Sequence, residues 1–536
     1  MKKSLILLLA LCVLFTSAAC GATPPEASTT PQASATASAS SAAASSESAS
    51  AEAEPSAAPE PVTLTCFIGH SWYPVDTFTG IIAEQITKDT GVTLDMTIAA
   101  DGNQLGVLIA SGDLPDMVYT DGQLDKLSDG SICHSYDDLI AQYNIDWDID
   151  PISRGNALRF SADGKIYMVR NHAPTATEWE SAKIGAPMTG SLQYRQDIYE
   201  ALGSPKLATL EDFEALLGMV KEKYPDVIPF TFGEHHRFNV LKSFTGLSGL
   251  SFIKQADGTY RYYANTEKYV GMMAMINGWF RKGYMNADNF VLTGDSLNFY
   301  STGKAFSNTG CTQNCNKSDD DKMKKIDPSY KSVECMPLSD YNYVTSDTGW
   351  SGTFITKNCS NPEAAIKYMQ YMFTPYAQKL TQMGREGIDY TMGADGIPVY
   401  SAEWTAALAD TEVFNKTYNP WLYFGGAETA EAVGRCAALP NYATEYEPVY
   451  KVIRSAYRNE PWISAAEPVG EMDEKIAYDK IKDMMKPFEA KLIMSASEAE
   501  FTKNYEEYLA AMKSAGLDSL ETYISKKIPE TEAMYK

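Results

Sequence analysis

VTLDMTI, residues 92–98, sets Val92, Leu94, Met96 and Ile98 against Thr93, Asp95 and Thr97. A period of two marks a strand with one buried face. Just upstream, Phe78 to Thr90 carries Ile81, Ile82 and Ile86 at helical spacing and stops at Gly91, a helix with its expected terminator. Further back, VTLTCFI (62–68) alternates Val62, Leu64 and Cys66 with Thr63 and Thr65. Downstream, Gln104 to Ala110 reads as a short apolar helix closing near Gly112, and Asp116 to Thr120 as a third strand. The order βαβαβ implies a mostly parallel sheet.

The alternation resumes later. Thr209-Leu-Glu-Asp212 resembles a capping box, and the helix behind it carries Leu210, Phe213, Leu217 and Val220. Asn265 to Lys282 reads as a helix with Val270, Met273 and Ile276 inward and Trp279 on its apolar, core-forming face. Pro362 suits a first helical turn before Ile366, Met369 and Phe373. From Tyr442 onward the chain is mainly helical, with a start at Ser497-x-x-Glu500 and a stop at Gly516. No internal repeat and no bilayer-spanning segment stands out.

The chain has 536 residues, more than one hydrophobic core sustains. It holds 45 Lys and Arg against 69 Asp and Glu, a net charge of −24. This argues against a nucleic-acid surface, which needs a basic face, and against a polybasic membrane-binding surface.

Met1-Lys2-Lys3 is a basic start, and Ser4 to Phe15 is an apolar run, too short for the roughly 20 residues of a span. It reads as a secretory signal. Ser17-Ala-Ala-Cys20 resembles a bacterial lipobox, with Ser17 where an aliphatic residue is usual; Cys20 is then the lipidated N-terminus, and the alternative is an ordinary cleaved signal. From Gly21 to Pro61 there is no aromatic or large aliphatic residue, so residues 21–61 read as a flexible Ala/Ser/Pro tether. Beyond Cys20, seven cysteines remain, and they cannot all pair within one chain. The C-x3-C pair Cys311 and Cys315 reads as a local disulfide or two thiols; the five histidines complete no metal-ligand pattern with it.

Several blocks share a family character. LGVLIASGDLPDMV (105–118) follows Thr90-Gly-Val92, and Asp163-Gly-Lys-Ile-Tyr167 resembles a "DGKIY" strand. Tyr194-Arg-Gln-Asp197 precedes Ala201-Leu-Gly203 and Thr209-Leu210. Gly283-Tyr-Met-Asn286, Gly303-Lys-Ala-Phe306, Asn361-Pro-Glu-Ala-Ala365 and Gly384-Arg-Glu-Gly-Ile-Asp-Tyr390 complete the series. Together, in this order, they resemble extracellular solute-binding lipoproteins of ATP-driven (ABC) importers, the carbohydrate-binding type with larger Gram-positive members.

The resemblance implies an α/β, two-lobed, periplasmic-binding-protein-like (type II) fold, with a ligand cleft between the lobes and a helical C-terminal region. It implies lobe 1 at 62–188 and 345–400, and lobe 2 at 189–344 and 401–536. It further implies an oligosaccharide ligand, a transmembrane permease as partner, anchorage to the outer face of the cell membrane, and a monomer without cofactor, metal or covalent chemistry.

Ligands of open α/β sheets bind beyond the carboxyl ends of strands. Sugars stack on aromatic faces and hydrogen-bond to carboxylates, amides and Arg. Trp72 and Tyr73 lie in the polar loop after the first strand, and Tyr119 and Asp121 close the third. Tyr194 and Arg195 stand at an expected crossing between lobes, where packing or an Arg195–Asp197 pair competes with ligand contact. Trp350 lies among small polar residues in Asp347-Thr-Gly-Trp-Ser-Gly352, and Trp421 in Asn419-Pro-Trp-Leu-Tyr-Phe424. His235-His-Arg237 is a weaker candidate.

Enzyme motifs fail where they matter. Ser301-Thr-Gly-Lys304 has no K-T-G partner and no P-loop spacing. Asp146-x-Asp148-x-Asp150 starts like a calcium loop but has Pro151 at the glycine position and Ala157 at the twelfth. Asp319-Asp-Asp321 reads as a solvated acidic turn. The rival readings are a secreted carbohydrate-active enzyme using two facing carboxylates, a peptide or other small-molecule binder on the same fold, and a surface adhesion or sensor lipoprotein.

Overall fold

The computed structural model describes residues 61–535 except 172–175, 183–184, 188–189, 233–237, 248, 292–297, 313, 395 and 421–441. The expected signal, Cys20 and nearly all of the tether fall outside these residues, as do Trp421 and His235-His236-Arg237.

The strands form because each hydrogen-bonds its backbone to a neighbour; β2 buries one row of side chains, whereas β3 and β11 are buried on both faces. In chain order they are β1 (Val62–Ile68), β2 (Val92–Ile98), β3 (Met117–Thr120), β4 (Gly190–Arg195) and β5 (Ile228–Phe232). Then come β6 (Phe252–Lys254), β7 (Tyr260–Tyr262), β8 (Ala305–Cys311), β9 (Ser332–Glu334) and β10 (Tyr343–Thr345). The last are β11 (Gly352–Ile355), β12 (Tyr390–Met392), β13 (Pro398–Tyr400) and β14 (Tyr457–Asn459).

Two four-stranded sheets organise the molecule. The first has the order β11-β3-β1-β2. Its β1 is parallel to β2 and β3, and β11 returns antiparallel against β3. The second has the order β5-β8-β4-β9 and is mixed, with β4 antiparallel to both neighbours. The chain therefore runs through the first sheet, builds the second, and comes back. A short parallel pair, β10 with β14, joins the returning segment to the C-terminal region.

Helix boundaries follow local chemistry. Ile81–Thr90 ends at Gly91 with φ 68°, and Gln104–Ser111 at Gly112 with φ 77°. Thr209 and Asp212 form a complete capping box on Leu210–Lys223. Pro362 opens Pro362–Met372, and Ser497 caps Glu498–Ala515, which Gly516 terminates. Among the described residues no helix is long and apolar enough to cross a membrane.

The two sheets carry separate cores. Leu64, Ile68, Ile82, Ile86 and Tyr119 pack with Ile366 and Met369 on the first. Phe213, Phe230, Trp279 and Met273 pack with the C-terminal Ile481, Tyr508 and Leu520 on the second. Trp404 and Tyr418, in helices Ala402–Ala407 and Thr411–Tyr418, belong to the first core, so packing on that side runs past residue 400.

Two local expectations are corrected. Asp163–Tyr167 is a turn instead of a strand: the Asp163 carboxylate accepts from Lys165 N at 3.0 Å and Tyr167 OH at 2.8 Å around Gly164, φ 77°. Asp319-Asp320-Asp321 lies within helix Asn314–Ile326. There burial raises the Asp319 carboxyl to about 6, and Asp320 accepts from Ser332 N at 3.0 Å. Cys66, Cys133, Cys335 and Cys359 are buried free thiols; Cys436 and the side chains of Cys311 and Cys315 are outside the described residues.

Asp116, 7 % exposed, ties the first sheet together. Its carboxylate accepts from Thr65 N at 2.7 Å, Thr65 Oγ1 at 2.5 Å and Ser360 N at 2.5 Å. Burial pushes its pKa up, but these bonds outweigh it and hold the carboxyl below its ordinary value. A folded pKa below the unfolded one gives stability that is present above the unfolded value of about 3.9 and lost as pH falls through the folded value. Asp116→Asn is expected to cost about 2 kcal/mol at pH 7. The gap from the native protein should narrow below about pH 4. Urea unfolding at pH 7 and pH 3 reads both; an equal gap at the two pH values would contradict the assignment.

Candidate functional site: an aromatic cluster at the carboxyl edge of the first sheet

Three strand ends converge at one edge of the first sheet. His70, Trp72 and Tyr73 follow β1, Tyr119 and Asp121 end β3, and Trp350 and Ser351 precede the antiparallel β11. The chain turns abruptly after β1, where Gly69 passes so close to β3 that a Cβ would lie 2.7 Å from Thr120 Oγ1. This turn brings the His70-Ser-Trp-Tyr-Pro loop over the sheet edge.

His70 is the hub. Its ring centroid is 5.2 Å from Trp72, 5.0 Å from Tyr119 and 5.1 Å from Trp350. Trp72 lies 5.9 Å from both Tyr73 and Trp350, and Tyr119 5.8 Å from Trp350. Burial divides the rings by role. Tyr73 and Tyr119 are 6 % and 0 % exposed, whereas Trp72 is 54 % exposed. Trp350 is half-buried. The tyrosines and His70 are therefore the base, and the tryptophans offer the flat faces.

A polar frame fixes the base. Asn171 Nδ2 donates to Tyr119 OH at 2.9 Å, and Asn171 Oδ1 accepts from Ser351 N at 2.8 Å. Ser351 Oγ is 3.0 Å from His70 Nε2. Asp121, its side chain 61 % exposed, lies 3.7 Å from His70 Nδ1. Burial lowers the His70 pKa, while Asp121 acts in the opposite sense.

Ser351, His70 and Asp121 have the order of a Ser–His–Asp relay, but not its function. Ser351 is fully buried, so its hydroxyl cannot reach a substrate. The 3.7 Å Asp121 separation exceeds hydrogen-bond length. The arrangement suits contact, stacking and hydroxyl recognition.

The structure brings Trp72, Tyr73, Tyr119, Asp121 and Trp350 together. Tyr194 and Arg195 sit apart on β4 of the second sheet. The half-buried Tyr194 ring packs 4.9 Å from Tyr199 and 6.1 Å from Phe306. Arg195 donates from Nε and Nη2 to Asp197 at 3.2 and 2.6 Å, and from Nη1 to Gly303 O at 2.7 Å. Its guanidinium also lies 3.7 Å from the Tyr330 ring centroid. Sequence reasoning passed over His70, Asn171 and Ser351. His70 and Ser351 lie in the same polar loops as Trp72 and Trp350, which is their only local signal.

No family model and no curated protein matches the chain. Solved structures do match. An S. pneumoniae ABC-transporter substrate-binding protein, FusA, in complex with kestose, has TM-score 0.63 and 16 % identity over 88 % of this chain and 100 % of its own. An extracellular solute-binding protein from Bifidobacterium longum subsp. infantis gives 0.63 and 14 % over 88 % and 98 %. Alginate-binding protein AlgQ2 without calcium ion gives 0.61 and 16 % over 88 % and 98 %. The chain therefore has the two-lobed periplasmic-binding-protein-like α/β fold, with a cleft between lobes and a helical C-terminal region. At these identities the likeness defines the fold; the neighbours themselves are binding proteins.

Proposed function

We propose that this protein captures an oligosaccharide between its two lobes and delivers it to the permease of an ABC importer, without transforming it. The observation that carries the reading is the platform of Trp72 and Trp350 around His70, with the exposed Asp121 carboxylate beside it. Flat apolar faces stack on the C–H side of sugar rings, and a carboxylate accepts from their hydroxyls. In this reading one lobe is built on the first sheet and comprises 62–188 and the segment from 345 to beyond 400. The other is built on the second sheet and holds 189–344 and the C-terminal helices. Cys20 carries a lipid, residues 21–61 tether the monomeric body to the outer face of the membrane, and closure about the crossings traps the ligand. The solute-binding neighbours, one bound to kestose, support the ligand class.

A thermal-shift screen of mono- and oligosaccharides, peptides and amino acids tests this. A ligand at 100 times its dissociation constant stabilises by about 2.7 kcal/mol, and the glycan that shifts melting should be recovered uncleaved. Stabilisation by peptides alone would replace the ligand class, and turnover of the glycan would replace the receptor by an enzyme.

A further inference from the structure

Arg170 lies one residue before Asn171, the amide that frames the aromatic base, and pairs through its backbone with Gly352, the first residue of β11. It is 9 % exposed. Its Nε is buried without a hydrogen-bond partner. Among the described residues none accepts a hydrogen bond from its guanidinium.

The other buried arginines among the described residues, Arg195 and Arg454, are treated differently. Arg195 uses Asp197 and Gly303 O. Arg454 uses Glu447 and Gly185 O. Arg170 instead has the Phe160 ring 5.3 Å from its Cζ. It feels Asp347, Asp121 and Glu467 only through space, and Arg159 as a like charge. Burial lowers its pKa to about 10, which leaves it a cation at neutral pH. A guanidinium is donor-only, with five N–H groups in a planar fork. Leaving the buried Nε donor unused is costly. The Arg170 backbone ties it to the platform's frame: it pairs with Gly352, and Asn171 beside it accepts from Ser351 N at 2.8 Å.

We propose that Arg170 recognises a negatively charged group on the captured saccharide, so that the ligand is an acidic oligosaccharide bearing carboxylate or sulfate groups. The inference rests on the carbohydrate reading above and narrows it. The planar fork matches a carboxylate or a sulfate edge with two parallel hydrogen bonds. Neutral hydroxyls would fill the donors but leave the buried charge without a partner at bonding distance. In a chain of net charge −24, an anion needs such a local cation.

The test is calorimetric titration of the purified protein with three glycans of matched linkage and length: neutral, uronate-bearing and sulfated. One of the acidic members should bind about ten- to a hundredfold more tightly than the neutral one, the effect of one charge-assisted contact, and the comparison between them identifies the group. Arg170→Gln should erase that preference, and Arg170→Lys should keep only part of it, because a point charge lacks the fork. Equal or tighter binding of the neutral glycan would overturn the inference and leave the carbohydrate reading standing. Binding of none of the three, with a peptide binding instead, would remove both. A preference that survives in a natively melting Arg170→Gln protein would overturn the role of Arg170. The native-protein comparison stands even if that variant misfolds.

Discussion

Gly349→Ala is expected to destabilise the protein by about 4 kcal/mol, as the sum of two effects. Gly349 has φ 79°, a conformation that costs an L-residue about 1–2 kcal/mol. A Cβ there would also stand 2.1 Å from Asn171 O and 2.9 Å from Arg170 Cβ. The first neighbour is backbone and cannot rotate away, so the crossing segment must move, at an overpacking cost of about 1–3 kcal/mol. Gly112→Ala separates the terms, since Gly112 has φ 77° but no atom within 4 Å of its ideal Cβ. That variant should lose only about 1–2 kcal/mol. Urea unfolding of both variants reads the difference; equal losses would show that the close approach of the two crossing segments is not rigid. Because Asn171 and Ser351 flank this contact and frame Tyr119 and His70, Gly349→Ala should weaken ligand capture as well.

Trp72→Ala reverses the pattern and is expected to weaken glycan binding about 30-fold at nearly constant stability. The ring is 54 % exposed, so its removal takes little from the core, and melting should move by less than about 2 °C. It nevertheless supplies the most open face of the platform, 5.9 Å from Trp350. Aromatic anchors of this kind carry about 2 kcal/mol or more when truncated, which converts to about 30-fold. Titration of native and variant protein with the glycan found in the thermal screen decides it. An unchanged affinity would take Trp72 off the ligand path and leave the cluster as packing.

Much of the first sheet was readable because its information is local. Val62 to Thr120 carries its own periodicity, stops and caps, and the strands and helices fall within a few residues of the expected ones. The second sheet was less readable. Its β4 and β8 bury Gln193, Ser191, Ser307 and Thr309, so polar residues occupy inward positions and blur the alternation. At the site, Trp72 and Trp350 were legible as large rings in polar loops, where sheet burial does not explain them. Arg195 looked equally available in sequence. Its partners at positions 303 and 330 are what commit it to packing, and no local pattern announces partners that distant. Asn171 and Arg170 were silent for the same reason. Each acquires its meaning from a segment that the chain reaches only much later.

The return of β11 to the edge of β3 has a consequence for how the protein comes into being. Ser351 lies 281 residues after His70. Until a ribosome has made that later segment, β3 presents an open strand edge to its surroundings. Such edges template wrong pairings, and contacts this remote in sequence form slowly. The nascent chain therefore passes through a long stretch of its synthesis with the aromatic cluster half assembled.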